Sequence, residues 1–155
     1  MEKEFTFLVV LDDSEEMYKA LKYAALRSSR SGGSVALLYT FDTLDFSHWK
    51  AVEDIAEVES RDEAESKIKE YENYLLEFTN KKPKKFIMKG DRIECIIDFL
   101  NSNKFISNFV LAASSSTSGP GHLITAFTGK HRSKLKVPIT IIPSHLSEEE
   151  INNLS

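Results

Sequence analysis

Phe5-Thr6-Phe7-Leu8-Val9-Val10-Leu11 reads as an apolar strand run that stops at Asp12-Asp13-Ser14, after which the pattern turns helical. A strand with apolar residues on successive positions is buried on both faces, the mark of a parallel sheet. Ligands in such sheets sit where strands end and helices begin, so Asp12 and Asp13 stand on a binding lip.

Beyond that lip, Ser14 is placed as an N-cap with Glu15 and Glu16 in the first helical turn, where their charge suits the helix dipole. Met17, Ala20, Leu21, Ala24 and Ala25 recur at helical spacing, and Gly32-Gly33 end the helix. Ser31-Gly32-Gly33-Ser34 is similar in composition to the phosphate loops of ATP pyrophosphatases, but it precedes a strand and reads as a helix stop. Ser34 to Phe41 is a second buried strand. Ser47 to Lys82 reads as mostly helix with a break near Ser60, its apolar positions being Trp49, Val52, Ile55, Ala64, Ile68, Tyr71, Leu75 and Phe78.

Lys85 to Met88 is a short third strand, followed by Asp91 as a cap with Glu94 three residues later. Ile93, Ile96, Ile97 and Leu100 then form one helical stripe. Phe109 to Ala113 is strand four, a polar loop runs from Ser114 to Gly121, and Leu123, Ile124 and Phe127 open a helix behind Pro120. Val137 to Ile142 is strand five. Past Pro143, Ser147 and Glu150 make a capping box with Leu146 and Ile151 as a hydrophobic staple. The alternation describes one α/β domain over residues 1–143, a single open five-stranded parallel sheet with helices on both faces, and a short helical tail over 144–155.

The 155 residues suit one domain, and 41% hydrophobic beside 28% charged residues is an ordinary globular balance. No apolar run approaches the roughly 20 residues of a membrane helix. Met1 to Glu4 lead straight into a strand with no signal or transit pattern, so a cytoplasmic protein is expected. The lone Cys95 has no disulfide partner, and His48, His122, His131 and His145 are scattered without metal-ligand spacing. A net charge of −4 gives no general attraction for nucleic acid or anionic lipid; Lys81, Lys82, Lys84 and Lys85 flank Pro83 as a solvated turn.

Two strand ends carry the chemistry: Asp12 and Asp13 after strand one, and Ser114, Ser115, Ser116, Thr117, Ser118, Gly119, Pro120 and Gly121 after strand four. If those strands are neighbours where the strand order reverses, the two loops line one crevice. A hydroxyl- and glycine-rich loop that opens a helix offers backbone N–H groups to a phosphate; as a flexible connection it offers nothing. A carboxylate at the strand-one tip can accept hydrogen bonds from a ribose or an amino group, or be simply solvated. Neither a dinucleotide fingerprint nor a Walker loop is present, since Gly-x-Gly lacks its third glycine and Lys130 follows a lone Gly129. No catalytic constellation is visible.

The chain resembles the universal stress protein family from Phe5 to Pro143. The resemblance is carried by Val9-Val10-Leu11-Asp12-Asp13-Ser14-Glu15, Gly33-Ser34-Val35-Ala36-Leu37-Leu38-Tyr39, Lys89-Gly90-Asp91 and Val137-Pro138-Ile139-Thr140-Ile141-Ile142-Pro143, in that order. It implies a sheet ordered 3-2-1-4-5 of the adenine nucleotide alpha hydrolase-like class, a role in stress response that works by binding an adenine nucleotide or a protein partner rather than by catalysis, and homodimers joined through Ile139, Thr140, Ile141 and Ile142. Self-pairing of that strand would also cover an apolar edge that Pro138 and Pro143 bracket.

Family members that bind ATP carry Gly-x2-Gly-x9-Gly and then Ser or Thr from the end of strand four. Here the slots directly after the strand hold Ala113 and Ser116, the next falls on Ala126, and the glycines present are Gly119, Gly121 and Gly129. By position, Asp12 matches the family's adenosine-contacting aspartate and Thr40 the strand-two residue beside the adenine. The resemblance therefore implies an ATP-type adenine nucleotide ligand at Asp12, Thr40, Ser114, Ser115, Ser116, Gly119, Gly121 and Gly129, with the phosphate half altered.

Two other classes compete. A signalling receiver domain would use Asp12 and Asp13 as its Mg²⁺ pair on the same five-stranded order, yet strands two and three end on Thr40 and Lys89 where a phosphoacceptor Asp is needed. A weak ATP hydrolase would need a general base or a metal partner for Asp12.

Overall fold

Every residue of the central strand, Thr6–Val10 (β1), is buried, as a run without a polar face requires. The computed structural model describes residues 4–42 and 50–155. Around β1 the chain lays down α1 (Met17–Ser31), β2 (Ser34–Phe41), α2 (Lys50–Leu75), β3 (Lys84–Lys89), α3 (Arg92–Ser102), β4 (Asn108–Ala112), α4 (His122–Thr128), β5 (Ile139–Ile142) and α5 (Glu148–Leu154). All neighbouring strands pair parallel, in the order β3-β2-β1-β4-β5. The sheet is thus the open five-stranded one expected, with the strand order that the resemblance implied.

Alternation along β1 divides the core in two. Phe7 and Val9, with Leu11 beyond the strand, pack with α1, α2 and Ile151 of α5, while Leu8 and Val10 pack with α3, α4 and Phe109. Phe109 and Phe127 meet edge to face at 5.6 Å inside the second layer.

The helix ends show where local chemistry was read well and where it was not. Asp91 caps α3 by accepting the Glu94 N–H at 3.1 Å, and Ser147 and Glu150 close a full capping box on α5. Leu146 and Ile151 share one core cluster, as a staple requires. Ser14, by contrast, is not the cap of α1. The helix starts at Met17 behind Glu16, whose side chain makes no capping bond, because Ser14 donates to Asp12 instead. The break near Ser60 is absent as well: α2 runs unbroken from Lys50 to Leu75. The expected helix residues Ser47 and Trp49, and the surface residue His48, lie outside the described residues.

Gly32 ends α1 in the left-handed conformation, φ 73°, and Gly33 then passes directly against the chain entering β1. A Cβ at Gly33 would stand 2.2 Å from the carbonyl oxygen of Phe5, a backbone atom that cannot swing aside. Gly33→Ala is therefore expected to lower stability by about 2 kcal/mol or more, read as a fall in the urea midpoint. The matching Gly32→Ala, which meets no atom within 4 Å, should cost about 1 kcal/mol through φ alone.

The outer strands differ. β5 pairs only with β4; Ile139 and Thr140 are partly exposed and Ile141 is exposed, but Ile142 is buried in the first core layer. The apolar edge expected on Ile139, Ile141 and Ile142 is thus narrower by one residue. On the other side, Lys85 pairs with Glu72 at 2.8 Å and Lys84 lies over the Phe105 ring at 4.7 Å, so the lysine run is partnered and not a free basic patch.

Candidate functional site

The ladder between β1 and β4 covers only Phe7 with Asn108 and Leu8 with Phe109. Beyond those pairs the two strands part, at the point where the strand order reverses from β2 on one side to β4 on the other. A cleft opens there, floored by Val9, Val10, Val110, Leu111 and Ala112. This is the position at which doubly wound sheets hold ligands.

One wall is made by Asp12, Ser14 and Glu16, and the facing wall by Pro120, Gly121 and His122. Asp12 Oδ1 accepts from the Ser14 hydroxyl at 2.6 Å and from the Ser14 N–H at 3.1 Å, a turn in which an Asp side chain binds the backbone two residues on. That bond consumes the hydroxyl assigned to capping α1 and fixes the carboxylate. Its other oxygen, Oδ2, has no hydrogen-bond partner among the described residues. The cavity itself holds about 50 Å³, room for a few waters and far less than the roughly 300 Å³ at which ligand sites begin.

The acidic pair does not act as a pair. Asp13 takes a left-handed backbone, φ 61°, which turns its side chain away from the cleft. Its carboxylate accepts from the hydroxyls of Tyr39, at 3.3 Å, and Tyr71. Asp13 therefore ties the β1 tip to β2 and α2; exposed though it is, it does not line the Asp12 cleft as a second ligand group. Burial, followed by the Asp13 charge and hydrogen bond, raises the pKa of both tyrosines above the ordinary tyrosine range. Tyr71 in turn meets Tyr18 edge to face, and Tyr18 meets Tyr74, extending an aromatic ladder along α2. Sequence reading missed this cluster because its members stand 26 and 58 residues from Asp13.

The hydroxyl loop after β4 is tied to itself. Ser114 N–H donates to the Pro120 carbonyl at 2.8 Å, Ser116 N–H to Ser114 Oγ at 3.1 Å and Ser118 N–H to Ser116 Oγ at 3.2 Å. Gly119 N–H reaches the Ser116 carbonyl at 3.4 Å, and the Ser116 and Ser118 hydroxyls pair at 2.7 Å. Four of the N–H groups that an anion would use are thus engaged, while those of Ser115, Thr117 and Gly121 have no partner among the described residues.

The other expected site residues divide. Gly121 lines the Asp12 cleft, with φ 115° at the head of α4. Ser115 lines an adjoining cleft of about 130 Å³ with Glu15, Glu16, Lys19, Ala113 and Ser144, so Glu16 is the wall common to both. Gly129 ends α4, roughly 10 Å of helix away from Gly121, where a Cβ would come 2.7 Å from the Thr125 carbonyl oxygen. Thr40 is buried at the β2 tip, its hydroxyl accepting from Arg92 Nε at 3.3 Å. It borders neither cleft.

The remaining reactive groups are quiet. Cys95 is buried, and burial first, then the Asp98 and Asp91 charges, push its thiol up. Among the described residues no three His, Cys, Asp or Glu side chains converge as a metal site, and no helix is long and apolar enough to cross a membrane.

An open parallel sheet ordered 3-2-1-4-5 with a cleft at its switch point defines a doubly wound α/β fold. The structure is similar to the universal stress protein UspA from Lactobacillus plantarum, at TM-score 0.68 and 17% identity over 92% of this chain and 99% of that one. It is similar to a universal stress family protein from Burkholderia pseudomallei, at TM-score 0.65 and 16% identity over 93% and 99% of the two chains. A universal stress protein in complex with cAMP also matches, at TM-score 0.63 and 11% identity over 91% and 98%. No curated protein matches the sequence. The model of the universal stress protein family matches residues 5–143, and the chain belongs to that family.

Proposed function

We propose that this chain acts in the cytoplasm as a homodimeric stress protein that binds an adenine nucleotide or nucleoside between β1 and β4 and catalyses nothing. The observation that carries the reading is the cleft itself: Asp12 and Gly121 face each other across it, with one carboxylate oxygen and one backbone N–H lacking partners among the described residues. A free carboxylate oxygen suits the hydroxyls of a ribose. That a family member is described in complex with cAMP supports the same ligand class.

Glycine spacing supports it too. Counted from Gly119 instead of from the strand end, nine residues separate Gly119 from Gly129, the spacing of the last two glycines in the family's motif, with Ser116 in the first slot. On that count the loop is three residues longer than the motif requires. The small cavity means the ligand lodges only when the exposed loop of residues 114–119, bound mostly to itself, moves outward. In the dimer, the exposed Ile141 and the partly exposed Ile139 and Thr140 would pair with a second copy, with Ile142 beneath them.

At least one of adenosine, cAMP, AMP, ADP and ATP at millimolar concentration is expected to raise the melting temperature, and Asp12→Ala to remove the rise. No shift with any of the five would end the nucleotide reading. The receiver alternative loses ground on two counts. A receiver sheet is ordered 2-1-3-4-5, not 3-2-1-4-5, and Asp13 is bound by two tyrosines, so it does not stand beside Asp12 as a metal ligand.

A further inference from the structure

Glu16 stands between the two clefts, beside the loop that opens α4. A Cβ built on Gly121 would lie 3.9 Å from Glu16 Oε1, which places the carboxylate against the loop that opens α4. Glu16 is half-buried, lines both clefts, and its carboxylate has no hydrogen-bond or ion-pair partner among the described residues. Asp12 and Glu15 add negative charge on the same wall. Lys19, the one lysine among the described lining residues, has its ammonium on the Ser144 carbonyl at 2.6 Å. Four N–H groups of the hydroxyl loop are engaged internally, so the opposite wall brings little to offset that charge.

We infer that Glu16 is a specificity-determining residue that turns the cleft against polyphosphates, so that its ligand is an uncharged adenine nucleoside or a singly charged nucleotide rather than a nucleoside triphosphate. The inference rests on the nucleotide-cleft reading and narrows it. Like charges in a partly buried cleft repel strongly because little water lies between them to screen them. A triphosphate brings about four negative charges to the Glu16 carboxylate; adenosine brings none. The carboxylate oxygens of Asp12 and Glu16 on one wall suit the donors of a ribose and repel the oxygens of a phosphate chain.

Titration calorimetry of the full chain with adenosine, cAMP and ATP tests this, beside Glu16→Gln and Glu15→Gln. The wild type is expected to bind adenosine and cAMP at least about tenfold more tightly than ATP. Glu16→Gln should tighten ATP by about tenfold while leaving adenosine within about threefold, and Glu15→Gln, on the exposed neighbour, should not. ATP binding as tightly as adenosine, an unchanged ratio in Glu16→Gln, or equal effects of the two substitutions would overturn the inference and leave the cleft reading standing. Absence of binding by all three probes to the wild type would overturn both.

Discussion

Between pH 10 and about 12 the folded protein is expected to lose stability steadily as the pH rises. Three tyrosines produce this. Tyr39, Tyr71 and Tyr74 all have their pKa raised from 10.0, first by burial, and Tyr74 is pushed up to about 12. Asp13 reinforces the shift at Tyr39 and Tyr71, since its carboxylate accepts the two hydroxyl protons and repels the phenolates that would replace them. Below pH 10 all three are neutral in both states and their contribution is complete. Above it the unfolded chain releases protons that the folded chain retains, and each such tyrosine removes about 1.4 kcal/mol per unit until it titrates in the fold. Urea midpoints measured across this window should fall steeply, and Tyr71→Phe should lessen the slope by about a third. Flat stability through the window, or tyrosinate absorbance rising at the ordinary pKa for all five tyrosines, would contradict the buried cluster.

Removing residues 144–155 is expected to cost about 5 kcal/mol, although the family match ends at residue 143. Ile151 is fully buried beneath α1, so its loss leaves a cavity in the first core layer. The same cut strips Lys22, only 8% exposed, of its partners: its ammonium donates to the Glu148 carbonyl at 3.0 Å and pairs with the Glu148 carboxylate at 2.7 Å. Phe78 alone would remain, its ring centre 5.3 Å from the charge. A buried charge without its partner costs far more than an exposed pair contributes. Glu148→Ala, which keeps the carbonyl, should therefore cost only about 1 kcal/mol. Equal urea midpoints for the truncated and full chains would show that α5 adds nothing to the core.

What was legible in the sequence follows from how far each signal reaches. The runs Thr6–Val10 and Ser34–Phe41 announce buried strands because burial on both faces leaves no polar position. Asp91 and Ser147 announce caps because their partners lie three residues away. Ser14 misled because it could serve either as acceptor for the first N–H groups of α1 or as donor to Asp12; the two look alike in sequence, and the Asp12 turn prevails. Ser60 broke nothing, since packing of Ala64, Ile68 and Tyr71 carries α2 through a charge-rich stretch.

The site was half legible for the same reason. Asp12 and the hydroxyl loop could be placed at the switch point from strand ends alone. That Asp13 turns to Tyr39 and Tyr71 depends on a positive φ at a non-glycine residue, which no local pattern requires. That Glu16 faces Gly121 depends on how α1 and α4 meet, residues more than a hundred positions apart in the chain.

The most direct test is an amide NMR titration of the isotopically labelled chain with adenosine and with cAMP. The largest shifts are expected at Asp12, Ser115 and Gly121, around the two adjoining clefts beyond β1 and β4. Shifts centred instead on the groove between α2 and β3, near Glu65 and Lys69, or no shift at millimolar concentration of either ligand, would contradict the central claim.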